Sequence, residues 1–196
     1  MQPAIGLLEL SSIAVGIRAG DAMVKRSPVE VIYAGTVHPG KYLVLVGGAV
    51  AHVEEALPAG REAGAEALID QIFLPDIDTR VVRALRGQRQ GSGDEASGIV
   101  ETRTVAAILG AADRGVKGAE VELAELRIAD DLGGKAYLRF AGVLADVEAA
   151  VEAATEGLAD TLVSRVVIPR LHQEMAQNLD ASARFAPRLQ SAGEAS

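Results

Sequence analysis

The sequence predicts an α+β fold built from two copies of one small domain, each in the order β-α-β-β-α-β-α with its helices on one face of a mainly antiparallel sheet. Three observations lead there. Residues 4–31 return as residues 96–123, with Ala4 on Ala96, Gly6 on Gly98, Glu9 on Glu101, Asp21 on Asp113 and Lys25 on Lys117, a constant offset of 92. After a two-residue slip the match resumes at an offset of 94, with Gly40-Lys41 on Gly134-Lys135, Gly48 on Gly142 and Ile72-Phe73-Leu74-Pro75 on Val166-Val167-Ile168-Pro169. Within each copy, short apolar runs alternate with stripes at helical spacing. Self-similarity at this scale sets the whole architecture, so it governs every later assignment.

The elements follow in order. Ile5, Leu7, Leu8 and Leu10 make a short apolar run, the signature of a buried strand. Ser11 or Ser12 supplies a hydroxyl that can accept from the free amides of a first helical turn. Ile13, Ile17, Gly20 and Val24 then recur at spacings of one helical face, and the second copy repeats them as Val105, Leu109, Ala112 and Val116. Pro28 marks the helix end. Residues 29–37 and 41–46 read as two strands joined by the turn His38-Pro39-Gly40, a hairpin-like unit broken by Gly47-Gly48. A second helix carries Val50, Val53, Leu57 and Gly60, with Leu144, Val147, Val151 and Ala154 as its twin; Pro58 predicts a kink in the first version. Residues 68–74 form the fourth strand, closed by Pro75, and residues 78–85 a short helix. This gives a first domain over residues 1–86, a polar glycine-rich linker over 87–95, a second domain over 96–180 and a tail over 181–196.

Composition narrows the function classes. Apolar residues make up 49% of the 196 and aromatics only 3%, so alanine and glycine must supply close helix packing in place of a bulky core. A net charge of −8 and a pI near 4.9 argue against a nucleic-acid partner, which needs a basic face. No apolar run approaches the ~18 residues of a membrane helix. The opening MQPAIG runs straight into a strand-like pattern, so no secretory leader is expected and a cytoplasmic setting is the default. Cysteine is absent, which excludes disulfides, thiolate nucleophiles and a cysteine-ligated iron–sulfur cluster. There is no G-x-S-x-G, no phosphate-binding glycine loop and no H-E-x-x-H. Glu9 and Glu101 sit at equivalent strand positions. A catalytic carboxylate pair needs two unlike environments, so a repeated architectural role fits them better. His52 and His172 have no second ligand at metal spacing and read as structural or incidental.

The order IGLLEL, DAMVK, VEV, PGK and an Ala/Gly-rich helix, repeated as SGIVET, ADRGVK, VEL and GGK, resembles the bacterial microcompartment shell domain. Two such domains in tandem resemble the trimeric shell proteins with pseudo-sixfold symmetry, most of all those of propanediol-utilisation compartments that hold an iron–sulfur cluster at the central pore. The resemblance covers residues 4–179. It implies a structural, non-enzymatic shell protein: a homotrimer that tiles with other shell proteins, within reach of encapsulated enzymes, in the shell of a cytoplasmic compartment. The reading from another class is a soluble metabolite- or metal-binding regulator built on duplicated ferredoxin-like domains.

The same resemblance assigns residues. Lys25 and Lys117, at the ends of the two first helices, would pack at the disc edge, with Arg170 beside them in IPRLHQEM; the first copy departs from the pattern with Asp76 at the arginine position. Without the resemblance, the lysines read as solvated helix-end cations favoured by the helix dipole. The loops TVHPGK and IADDLGGK would line the pore through Val37, His38, Pro39 and Gly40 and through Asp130, Asp131, Leu132 and Gly133. His38 occupies the position of the cluster-ligating cysteine. Three such imidazoles on an axis could hold a metal ion, could line a metal-free pore whose charge changes between about pH 5 and 8, or His38 could be a surface-turn residue. No cofactor is required by any of these motifs. Asp130 and Asp131 offer too few oxygens for a hard cation.

Overall fold

The computed structural model describes residues 4–89 and 96–181. Most of the predicted linker (90–95) and tail (182–196), and residues 1–3 of the first domain, lie outside the described residues. The first copy runs β1 (Ala4–Leu10), α1 (Ile13–Arg26), β2 (Val31–Val37), β3 (Lys41–Gly48), α2 (Val50–Ala63), β4 (Leu68–Leu74) and α3 (Thr79–Leu85). The second runs β5 (Ala96–Thr102), α4 (Val105–Gly118), β6 (Glu122–Ile128), β7 (Ala136–Gly142), α5 (Leu144–Thr155), β8 (Leu162–Ile168) and α6 (Gln173–Ala181). Among the described residues the strands form two four-stranded antiparallel sheets, ordered β2-β3-β1-β4 and β6-β7-β5-β8. Both copies thus have the predicted order.

Local chemistry fixes the element starts. Ser12 caps α1 by accepting from the Val15 amide, Thr104 caps α4 through the Ala107 amide, and Asp78 caps α3 through the Arg80 amide. Pro58 does not interrupt α2, which continues through it to Ala63. The two hairpin loops place glycines where φ is positive, at Gly40 (107°) and its counterpart Gly134 (81°), a region a β-carbon disfavours.

One face of each sheet carries its two long helices. In the first copy Leu8, Leu10, Val44 and Val46 meet Met23, Val53 and Leu57 in a fully apolar cluster. Burying each such side chain is worth about 1.5–3 kcal/mol. The second, larger cluster draws on both copies: Ile5 and Leu7 of β1 belong to it along with Ile108, Leu109 and Phe140. The two domains therefore share a core.

The copies keep one backbone with different fillings. Tyr42 packs against Gly16, where an added Cβ would lie 2.5 Å from the ring; the counterparts are Ala136 and Ile108. Phe140 packs against Gly115, where an added Cβ would lie 2.2 Å from the ring; the counterparts are Val46 and Met23. A large residue has moved across the helix–sheet contact in each pair while the summed volume stays similar, the type of change a close-packed core tolerates.

One expectation meets a different outcome in the two copies. Val105, Leu109 and Val116 on α4 are 0%, 0% and 2% exposed, whereas Ile13, Ile17 and Val24 on α1 are 42%, 56% and 40% exposed. Instead, α1 buries Gly16, Ala19, Gly20 and Met23 against its own sheet. The apolar stripe read from the sequence is a second face. On α4 the first domain covers it, while on α1 nothing among the described residues does. Val50 and Leu144, at the starts of α2 and α5, are likewise partly exposed.

Candidate functional site

The joint between the copies is built head to tail. The β4 edge of the first sheet receives the outer face of α4. At one end of α4, the Glu9 carboxylate is fully buried. It accepts from the Val105 amide at 2.7 Å and from Lys41 Nζ at 2.6 Å. A carboxylate at a helix N-terminus answers both the free amide and the positive end of the helix dipole. Lys41 Nζ also donates to the Gly134 carbonyl at 3.2 Å, and Thr104 donates to Asp70 at 2.5 Å. Two turns further along α4, about 12 Å from Val105, Asp113 accepts from the Asp78 amide at 2.8 Å and from Lys117 Nζ at 2.7 Å. Lys117 also donates to the Asp76 carbonyl. Arg80 of α3 reaches the carbonyls of Val116 and Val121 at 2.6 and 3.0 Å. Its ion pair with Asp78 holds that carboxyl below its ordinary value and lifts the guanidinium above its own. Arg114 is pushed the other way by burial.

The two hairpin loops lie side by side at the Glu9 end of the joint. The His38 amide donates to Asp130 Oδ1 at 3.3 Å, and a Cβ on Gly134 would lie 2.9 Å from Pro39. The residues named from the sequence for one pore, Val37 to Gly40 and Asp130 to Gly133, are therefore neighbours within one chain. Asp131 adopts a positive φ of 63° in this turn.

The model of the BMC domain matches residues 4–77 and again residues 96–171. The chain belongs to the BMC domain family. The bacterial microcompartment shell protein PduT of Citrobacter freundii is 43% identical over 177 residues, covering 89% of this chain and 96% of that one. Among solved structures, a microcompartments protein from Desulfitobacterium hafniense DCB superposes with a TM-score of 0.78 at 37% identity, over 90% of this chain and 99% of the other. A fused, permuted hexameric shell protein from the RMM microcompartment shares the fold at a TM-score of 0.58 and 19% identity, over 80% of this chain and 84% of that one. A regulator of the ferredoxin-like type finds no support among these relatives.

Within this pair of BMC domains the predicted edge residues stand in unlike settings. Lys25 is exposed at the end of α1 and pairs with Asp21 four residues back at 2.6 Å. Its counterpart Lys117 lies on the joint, partly exposed, with its ammonium held by the first domain. Arg170 lies on the exposed bend after β8. Glu9 has an architectural role: it ties one BMC domain to the next. Its counterpart Glu101 holds Lys135 and keeps a side-chain exposure of 29%. A thiolate-held cluster has no ligand in this chain. Among the described residues of one chain, no group of three His, Cys, Asp or Glu converges as a metal site. No helix among them is long and apolar enough to cross a membrane.

Sequence reading missed one charged arrangement. Glu125 and Arg139 are opposite each other on β6 and β7, both 2% exposed; Arg89 pairs with Glu125 at 2.8 Å and Asp180 with Arg139 at 2.8 Å. Their counterparts in the first copy are Tyr33 and Leu45, also opposite each other. That mismatch in an otherwise faithful repeat is the signal that could have revealed the pair.

Proposed function

We propose that this chain is a structural shell protein of a bacterial microcompartment, closing as a homotrimer whose six BMC domains form a near-hexagonal disc that tiles with other shell proteins around a central pore. It builds a wall and catalyses nothing. One observation carries the reading: equivalent residues are buried at the joint within the chain and open at the two ends. Ile13, Ile17 and Val24 are exposed where Val105, Leu109 and Val116 are covered, and Val166 of β8 is 48% exposed where its counterpart Ile72 lies against α4 at Gly110. A head-to-tail contact leaves one unsatisfied half at each end and repeats until a ring closes.

The polar half-sites are complementary in the same sense. By equivalence, Glu101 of one copy would accept from the Ile13 amide of the next. Lys135 would reach the Ser11 and Gly40 carbonyls, Asp21 would accept from the His172 amide, and Lys25 would reach the Arg170 carbonyl. Each pairing restates a contact of the joint within the chain. The ring brings three His38 and three Asp130 to one axis and carries Lys25, Lys117 and Arg170 towards the rim, where a lysine stem suits a flat, partly dry edge. Metabolites or cofactors would pass at the axis. Three imidazoles there also form an N-donor set with an open position, suited to zinc. Equal metal content in purified native protein and in His38→Ala removes that reading.

Electron microscopy tests the function. The native protein should form flat sheets, and Lys25→Ala or Lys117→Ala should weaken the sheets while leaving trimers. Sheets unchanged in both variants would count against the edge role, and native protein that never forms sheets, alone or with other shell proteins, against the shell reading.

A further inference from the structure

On the sheet face opposite α1 and α2 the first copy carries an open apolar groove of about 850 Å³. Ile5, Leu7, Leu45 and Tyr33 form its floor, with Val82 and Leu85 of α3 on one side. Tyr33 is 70% exposed, although it is one of only six Phe and Tyr side chains in the chain. The second copy differs at this place. There the row Leu7–Leu45–Tyr33 is replaced by Ile99–Arg139–Glu125, and the chain leaving α3 lays Arg89 onto Glu125 and onto the Leu179 carbonyl.

We infer that residues 182–196, the segment leaving α6, dock into this groove on the first domain of the neighbouring copy. The inference rests on the trimer reading above. Three observations identify the occupant. Beyond α3, Arg89 reaches the outer sheet face of the next domain at Glu125; α6 is the counterpart of α3, and the next domain beyond it belongs to another copy. Arg89 lies four residues beyond the end of α3, and the same count beyond Leu179, the counterpart of Leu85, falls at Ala183, at the start of a stretch carrying Phe185 and Leu189. The chemistry also matches in both copies. A charged side chain meets a charged pair on the second sheet, and the sequence beyond α6 offers an aromatic and a leucine for the apolar row on the first. Arg184 and Arg188, interleaved with them, carry the charge that complements Glu30 at the groove margin.

The absence of cysteine makes the test direct. In the full chain, Tyr33→Cys with Phe185→Cys is oxidised and run without reductant, alongside native mass measurement. The inference predicts disulfide-linked chains, up to covalent trimers. Trimers by mass that carry no link, or links confined within single chains, overturn it while sparing the ring. A monomer by mass overturns the ring and the docking together. An apolar dye provides the second readout without cysteines: Phe185→Ser with Leu189→Ser should stay trimeric and bind several-fold more dye than the native trimer. Equal dye binding would mean that the native groove is already open, as a site for a helix from an encapsulated enzyme would be, and contradicts the inference.

Discussion

A methyl group added at Gly115 would stand 2.2 Å from the edge of the Phe140 ring, inside any allowed contact. The ring is fully buried and has no room to swing away. Gly115→Ala should therefore destabilise the protein by about 1–3 kcal/mol, read as a lower urea midpoint, and Phe140→Val in the same chain should recover most of the loss because the counterpart position holds valine. An unchanged midpoint for Gly115→Ala would show that the contact is looser than described. This pairing was only half legible. The sequence shows that aromatics are scarce and glycines frequent, yet which glycine faces which ring depends on the helix–sheet register, which periodicity alone does not set. The Glu125–Arg139 pair shows in the sequence only as a break in the repeat, and was missed for a different reason. Two charged residues on neighbouring strands read as a solvated face until Arg89 and Asp180 are seen to pair with them.

At the scale of the element, α3 acts as a clasp. It belongs to the first copy, but Arg80 holds two carbonyls of the second, and Asp78 caps the helix while orienting that guanidinium. The Asp78 carboxyl lies below its ordinary value of 3.8, chiefly because of the hydrogen bond from Arg80. A carboxylate with a depressed folded-state pKa contributes stability above its unfolded value and loses it as pH falls through the folded one. The urea midpoint of the native protein should thus hold down to about pH 4 and drop below it, and Asp78→Asn should flatten that part of the profile. Superimposable profiles would remove Asp78 from the acid response. The existence and place of α3 were readable from the sequence, though its cap, Asp78, reads there as the first helical residue. Its role was not, because the carbonyls it grips lie some forty residues further along the chain. The helical stripe on α1 presents the complementary case. The period was read correctly, but the stripe it marks is left exposed by its own domain, which packs a different face of α1.

For the whole molecule, the repeat was the most legible feature, because duplication writes the same element order twice and a constant offset is hard to produce otherwise. What the repeat alone could not give is the sense of the joint. The structure supplies it: Glu9 under the start of α4, Asp113 and Lys117 at its end, and the same groups open at both outer ends. A chain with matching unsatisfied halves should not remain alone, since the proposed ring would cover the exposed stripe on α1 with another copy. The most direct test is native mass spectrometry of the purified protein beside Ile17→Asp, which places a charge in the centre of the open α1 stripe. The account predicts a species of three times the 20.3 kDa chain for the native protein, and single chains with an unaltered far-ultraviolet spectrum for the variant. A native protein of one chain, or a variant that still assembles in threes, would contradict it.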